Sequence, residues 1–87
     1  MDKRDRFAAN LRRARAAASM SQEKLAELCE LHRTEVSLLE RGGREPRLGT
    51  MVKLATALST SPETLCEGIR WDSKSRGFKI QEPPSSS

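Results

Sequence analysis

The sequence predicts an all-α fold of five short helices, followed by a short C-terminal β-hairpin or extended arm. Three observations carry this expectation. The chain has 87 residues, room for one compact domain and little else. Aromatic residues make up only 3% of it, and the 36% apolar fraction leans on Leu and Ala, so the core must consist of many small aliphatic contacts, as packed short helices provide. The stretch "MSQEKLAELCELHRTEVSLLERGGREP", residues 20–46, reads as two amphipathic segments at helical spacing with about three residues between them.

Residues 3–18, "KRDRFAANLRRARAAA", place Phe7, Leu11, Ala14 and Ala18 on one helical face and turn Arg4, Arg12 and Arg13 away from it. Ser21 has the chemistry of an N-cap, with Met20 before it and Leu25 after it suited to a hydrophobic staple, so a second helix runs from about Gln22 to Cys29. Glu30, Leu31 and His32 leave room only for a tight turn, after which "RTEVSLLERG" resumes the pattern with Val36 and Leu39 inward and Gly42 as the stop. This pair is a helix-turn-helix. Although His32 is a poor capping residue, Glu35 is spaced to accept its backbone N–H. "RGGREP", residues 41–46, is a loop. "LGTMVKLATALS" puts Leu48, Met51, Leu54, Ala55 and Leu58 on the inward face of a fourth helix. "SPETLCEG" opens a fifth with Ser61 as cap and Pro62 at the first helical position, ending at Gly68. The pattern then changes: "IRWDSKSRGFKI" has Ile69 and Trp71 on one side of a polar stretch and Phe78 and Ile80 on the other, which suits a hairpin or an arm packing its apolar residues on the helices. Residues 81–87, "QEPPSSS", lack apolar content and are expected to be disordered.

Sixteen Lys and Arg against twelve Asp and Glu give a net charge of +4, compatible with a nucleic-acid partner without requiring one. Most of the excess falls before Leu48, with 11 basic and 8 acidic residues through Arg47. Cys29 and Cys66 are far apart and His32 is the single histidine, so no zinc set of usual spacing can be assembled, and both thiols read as buried small hydrophobes. No apolar run has the length of a membrane span or the character of a signal peptide, so the expected location is the cytoplasm. An enzyme is disfavoured: no Cys–His or Ser–His–Asp set is available, and "RGGREP" neither follows a strand nor leads to a Lys-Ser/Thr pair. No cofactor is expected.

Ser21-Gln22-Glu23-x-Leu25-Ala26, then Val36-Ser37-x-Leu39-Glu40-Arg41-Gly42, then Pro46 and the run to Leu65 resemble the helix-turn-helix domain of the Cro and phage-repressor family, the XRE-type regulators. The resemblance covers about residues 7–68. It implies a lambda-repressor-like DNA-binding domain over 1–68, with the helix-turn-helix pair at about 21–41. It also implies that the second helix of the pair lies in the major groove of double-stranded DNA, where its exposed N-terminal side chains meet base edges. By that analogy the base-contacting residues are Arg33, Thr34, Ser37 and Leu38. Arg33 would take a guanine or a phosphate; Leu38 would read a thymine methyl, face a neighbouring subunit or simply be exposed. Gln22 matches the family position that bonds a phosphate, and Arg41, Arg44 and Arg47 around the glycine loop would add phosphate contacts. Arg15 and Glu40 match a structural ion pair joining the first and third helices. The sequence departs from the family at Glu30, where the turn usually has Gly, at His32, which replaces a Ser or Thr cap, and at Ser59, where Gly often ends the fourth helix.

The reading that follows is a sequence-specific transcriptional regulator binding a two-fold symmetric operator as a homodimer. The expected dimer interface is the fifth helix with Leu65 and Cys66, extended by Ile69, Trp71, Phe78 and Ile80 in a dimerisation element over 69–80. The alternative is an antitoxin or adaptor whose main task is to bind a partner protein.

Overall fold

The computed structural model describes residues 1–82 of the chain. Helix α1 (Lys3–Ala17) opens on a capping box: the Asp2 carboxylate accepts from the N–H groups of Arg4 and Asp5, while Asp5 accepts from the N–H of Asp2. Phe7 and Leu11 are buried and Ala14 packs beside them, but Ala18 falls past the last turn and is exposed rather than inward. Two polar residues share the buried face. Asn10 donates to the carbonyls of Leu65 at 2.9 Å and Glu67 at 2.8 Å, and Arg6 Nε donates to Glu67 at 2.8 Å. These bonds satisfy carbonyls at a helix end, the groups that a helix leaves without internal partners.

Helices α2 (Gln22–Cys29) and α3 (Arg33–Glu40) form the helix-turn-helix, followed by α4 (Leu48–Ala57) and α5 (Pro62–Leu65). Phe7, Leu11, Leu25, Ala26, Cys29, Val36, Leu39, Leu54, Ala55, Leu58 and Leu65 make one core. Leu48 is not part of it. It lies on the same row of α4 as Met51 and Ala55 but one turn beyond the packed helices, and is 82% exposed. Helix α5 is capped by Ser61, whose hydroxyl accepts from Thr64 N–H, and carries Pro62 in its first turn. It ends at Leu65, short of the expected Gly68, because turn bonds from Glu67 to Thr64 and from Ile69 to Cys66 already redirect the chain. Gly68 adopts φ +85°, and a Cβ there would stand 2.5 Å from Arg6 Nε.

Strands β1 (Ile69–Asp72) and β2 (Gly77–Ile80) pair antiparallel, with Ile69 opposite Ile80, Arg70 opposite Lys79 and Trp71 opposite Phe78. The extended-arm alternative is therefore replaced by a hairpin. Directly opposed residues share a face, so Ile69, Ile80, Trp71 and Phe78 form an apolar side and Arg70, Lys79 and Asp72 a polar one. Of the expected disordered tail, Gln81 donates its N–H to Gly68 O at 2.8 Å, whereas residues 83–87 lie outside the described residues.

Candidate nucleic-acid interface

The turn between α2 and α3 is set by Glu30, in the left-handed conformation at φ 53° and ψ 44°. This reversal lets Leu31 N–H reach Ala26 O at 2.9 Å and closes the end of α2 as a glycine would. His32 is the N-cap of α3 and makes no side-chain capping bond. The expected return bond from Glu35 is absent because its carboxylate is taken by Arg44, 2.5 Å away. At the N-terminus of α3 Arg33 and Thr34 are exposed, while Val36 and Leu39 anchor the helix in the core.

The opposite end of α3 is fastened by Glu40, which is only 4% exposed. Arg15 grips its carboxylate through two nitrogens, one contact at 2.9 Å, and donates a third bond to Met20 O at 2.8 Å. The hydrogen bond to Glu40 raises the pKa of Arg15. Gln22 Nε2 donates to Glu40 Oε1 at 3.1 Å, and Arg12 donates to the Glu40 carbonyl. One carboxylate thus sets α1, the start of α2 and the end of α3 in fixed relation. Nothing in the hydrophobic pattern singled out Arg12, which reading by periodicity sent to solvent.

The remaining residues expected at this surface divide into outward and occupied groups. Ser37 and Leu38 are half-buried, and Leu38 leans over the glycine turn: a Cβ on Gly43 would lie 3.2 Å from its Cδ2. Gln22 sits at the N-terminus of α2 with one amide proton committed to Glu40. Arg41 is exposed and bends back to Ser37 O at 3.3 Å. Arg44 is paired with Glu35, and Arg47 is an exposed N-cap to α4 with no side-chain capping bond. Leu31, Glu35, Arg44, Glu45, Arg47 and Thr50 line one open groove beside the start of α3. Gly42, at φ +73°, presses the loop against α1, where a Cβ would stand 2.7 Å from Asp5 Oδ1. Lys3 reinforces that junction with an ion pair to Glu45 at 3.4 Å.

The residues expected at a dimer interface separate sharply. Leu65 is fully buried in the core of the single chain, so its side chain has no surface to offer a second subunit. Cys66, Ile69 and Ile80 are half-buried, whereas Trp71 and Phe78 are 60% and 49% exposed. These two rings meet edge to face at 5.2 Å, and Lys3 Nζ stands 4.9 Å above Phe78. Burial raises the pKa of both Cys29 and Cys66, keeping them in the unreactive thiol form. Among the described residues no cluster of three or more His, Cys, Asp or Glu is arranged for a metal ion, and no helix is long and apolar enough to cross a membrane.

Known proteins share the helix-turn-helix part of this chain. The HTH_3 helix-turn-helix family model matches residues 11–65. Control protein C.BamHI of Bacillus amyloliquefaciens is 44% identical over 62 residues, 70% of this chain and 76% of that protein. Control protein C.SmaI of Serratia marcescens is 44% identical over 61 residues, covering 70% and 73%. Among solved structures, the restriction-modification controller protein C.AhdI from Aeromonas hydrophila superposes with a TM-score of 0.69 at 44% identity, over 71% of this chain and 94% of that one. With outward side chains at the start of α3 and a buried carboxylate fixing its end, the chain belongs to the HTH_3 family of DNA-binding helix-turn-helix transcriptional regulators.

Proposed function

We propose that the protein binds a two-fold symmetric operator as a homodimer in the cytoplasm and controls a restriction–modification gene set. The observation that carries this reading is the presentation of α3: Arg33 and Thr34 project from its free end while Glu40 holds the other against α1 and α2. A helix so fixed fits the major groove, with Arg33 as the bidentate reader of a guanine and Thr34 and Ser37 as hydroxyl contacts. Leu38, half covered by the glycine turn, keeps one side for a thymine methyl. Gln22, Arg41, Arg44 and Arg47 border the same surface as phosphate contacts, Arg44 exchanging Glu35 for a phosphate on binding.

One such module buries too little surface for tight specific binding, which favours two copies on half-sites about 34 Å apart. Trp71 and Phe78, with the half-buried Cys66, Ile69 and Ile80, supply the apolar surface for the contact between copies. The names of the relatives, two control proteins and a restriction-modification controller, support the regulatory assignment. Selection of bound duplexes from a random pool tests it. A palindromic motif is the expected product, and recovery of nothing above background would turn attention to a protein partner. Trp71→Ala is expected to yield monomers at micromolar concentration in analytical ultracentrifugation; a persisting dimer would move the interface elsewhere.

A further inference from the structure

The C-terminal hairpin carries four cations, Arg70, Lys74, Arg76 and Lys79, against the single carboxylate of Asp72. Its twelve residues hold a net charge of +3, as much as the first 47 residues together. Dividing the chain at Leu48 hides this density, because Glu63, Glu67 and Glu82 flank the hairpin and offset it. All four cations are exposed. Arg70 and Lys79 stand directly opposite each other across the strands, like charges that Asp72 offsets only in part through a long, exposed ion pair to Lys79 at 3.8 Å, so an anion lying across both would relieve the rest.

The turn adds two cations in a fixed frame. Asp72 accepts from Lys74 N–H at 3.1 Å and from the Ser75 hydroxyl at 2.8 Å, so it organises the loop that holds Lys74 and Arg76. Arg76 sits at φ 56°, a backbone conformation that glycine or asparagine would adopt with less strain. The apolar face of the hairpin adjoins the loop after α3, which leaves the polar face turned away from that groove. Phe78 and Ile69 share a groove with Pro46 and Glu45, the residues between Arg44 and Arg47, and Lys3 touches both Phe78 and Glu45.

From this charge density and the opposed cations, we infer that the polar face and turn of the hairpin are a second DNA-backbone contact. Arg70, Lys74, Arg76 and Lys79 are its phosphate-binding groups. The element works as a basic wing beside the helix-turn-helix, adding affinity without sequence preference, while its apolar face remains available to a second subunit. The inference rests on the DNA-binding reading above and extends it to a segment outside the matched residues 11–65.

The test measures binding of the full chain to a labelled 30-base-pair duplex of random sequence between about 50 and 200 mM salt, conditions over which phosphate contacts are resolved by slope. Three proteins are compared: wild type, Lys74→Gln/Arg76→Asn, and the charge-preserving Lys74→Arg/Arg76→Lys. Asparagine at 76 suits the left-handed backbone, so the turn keeps its shape. Loss of two contacts is expected to flatten the log–log salt dependence by about 1.8, so the affinity advantage of wild type shrinks roughly tenfold across that range. The charge-preserving protein is expected to follow wild type. An unchanged slope in the neutral variant, or an equal loss in the charge-preserving one, overturns the wing while leaving the regulator intact. Failure of wild type to bind any duplex would instead remove the DNA-binding reading on which the wing depends.

Discussion

Glu40 is the residue on which the geometry of this surface turns. It is buried, gripped by Arg15 and shared with Gln22, so its charge is satisfied only while all three helices keep their places. Removing one member of such a pair leaves an uncompensated buried charge, whereas replacing both members by apolar groups of similar volume is often tolerated. Glu40→Ala is therefore expected to cost on the order of 3 kcal/mol in denaturant unfolding, with Arg15→Met/Glu40→Leu recovering much of it. A single-variant loss below about 1 kcal/mol would mean that the pair is no more than a surface bridge. The identities of Arg15 and Glu40 were legible through the resemblance alone. The additional bonds from Arg12 and Gln22 were not, since a long polar side chain on a solvent-facing helical position gives no sign that it will fold back onto a neighbouring carbonyl or carboxylate.

The helices were legible because their faces are written in apolar spacing and two of their starts in capping residues: Ser21 and Ser61 accept the very N–H bonds their positions imply, whereas α3 and α4 start without a side-chain cap. Where spacing misled, the cause was position along the element, as at Ala18 and Leu48, which lie on the right face but beyond the end of the neighbours that would cover them. Left-handed residues were harder to read. Glu30 and Ser59 were marked as departures from glycine, and both adopt positive φ; Ser19 and Arg76 do so without any comparable signal. Glu30→Gly is expected to stabilise the turn by about 1 kcal/mol, raising the melting temperature by roughly 4–8 °C for a domain of this size. A decrease would show that the chain entropy lost by glycine outweighs the strain relieved. Two aspartates make a second prediction. Backbone bonds, above all from Asp5 N–H, hold the Asp2 carboxyl below its usual value, and the bond from Ser75 does the same for Asp72. Because the folded values are depressed, the Asp2 cap and the Asp72 turn bonds contribute in full above the ordinary aspartate value of about 3.9 and are lost as pH falls through the lower folded values. Acid titration followed at the amides of Asp5 and Lys74 should report midpoints below that value; midpoints at or above it would deny these bonds.

The molecule as a whole joins the helix-turn-helix to a basic, aromatic-bearing hairpin through α1, which touches both: Arg15 at the helix-turn-helix and Lys3 at Phe78. Its core was largely legible, down to Leu25, Val36, Leu39 and Leu54, because a chain poor in aromatics has few other ways to bury itself. Its surfaces were less so. Leu65 was read as an interface residue on the fifth helix, but α5 is so short that its one large aliphatic side chain is consumed by the core. In the proposed complex α3 reads bases as one of a symmetric pair. The most direct test of this reading is selection from a random duplex pool carried out in parallel with wild type and Arg33→Ala. A palindrome is expected for wild type and, for the variant, loss of base preference at one symmetry-related position in each half-site, with the outer motif retained. A motif unchanged by the substitution, or altered in only one half, would contradict that reading.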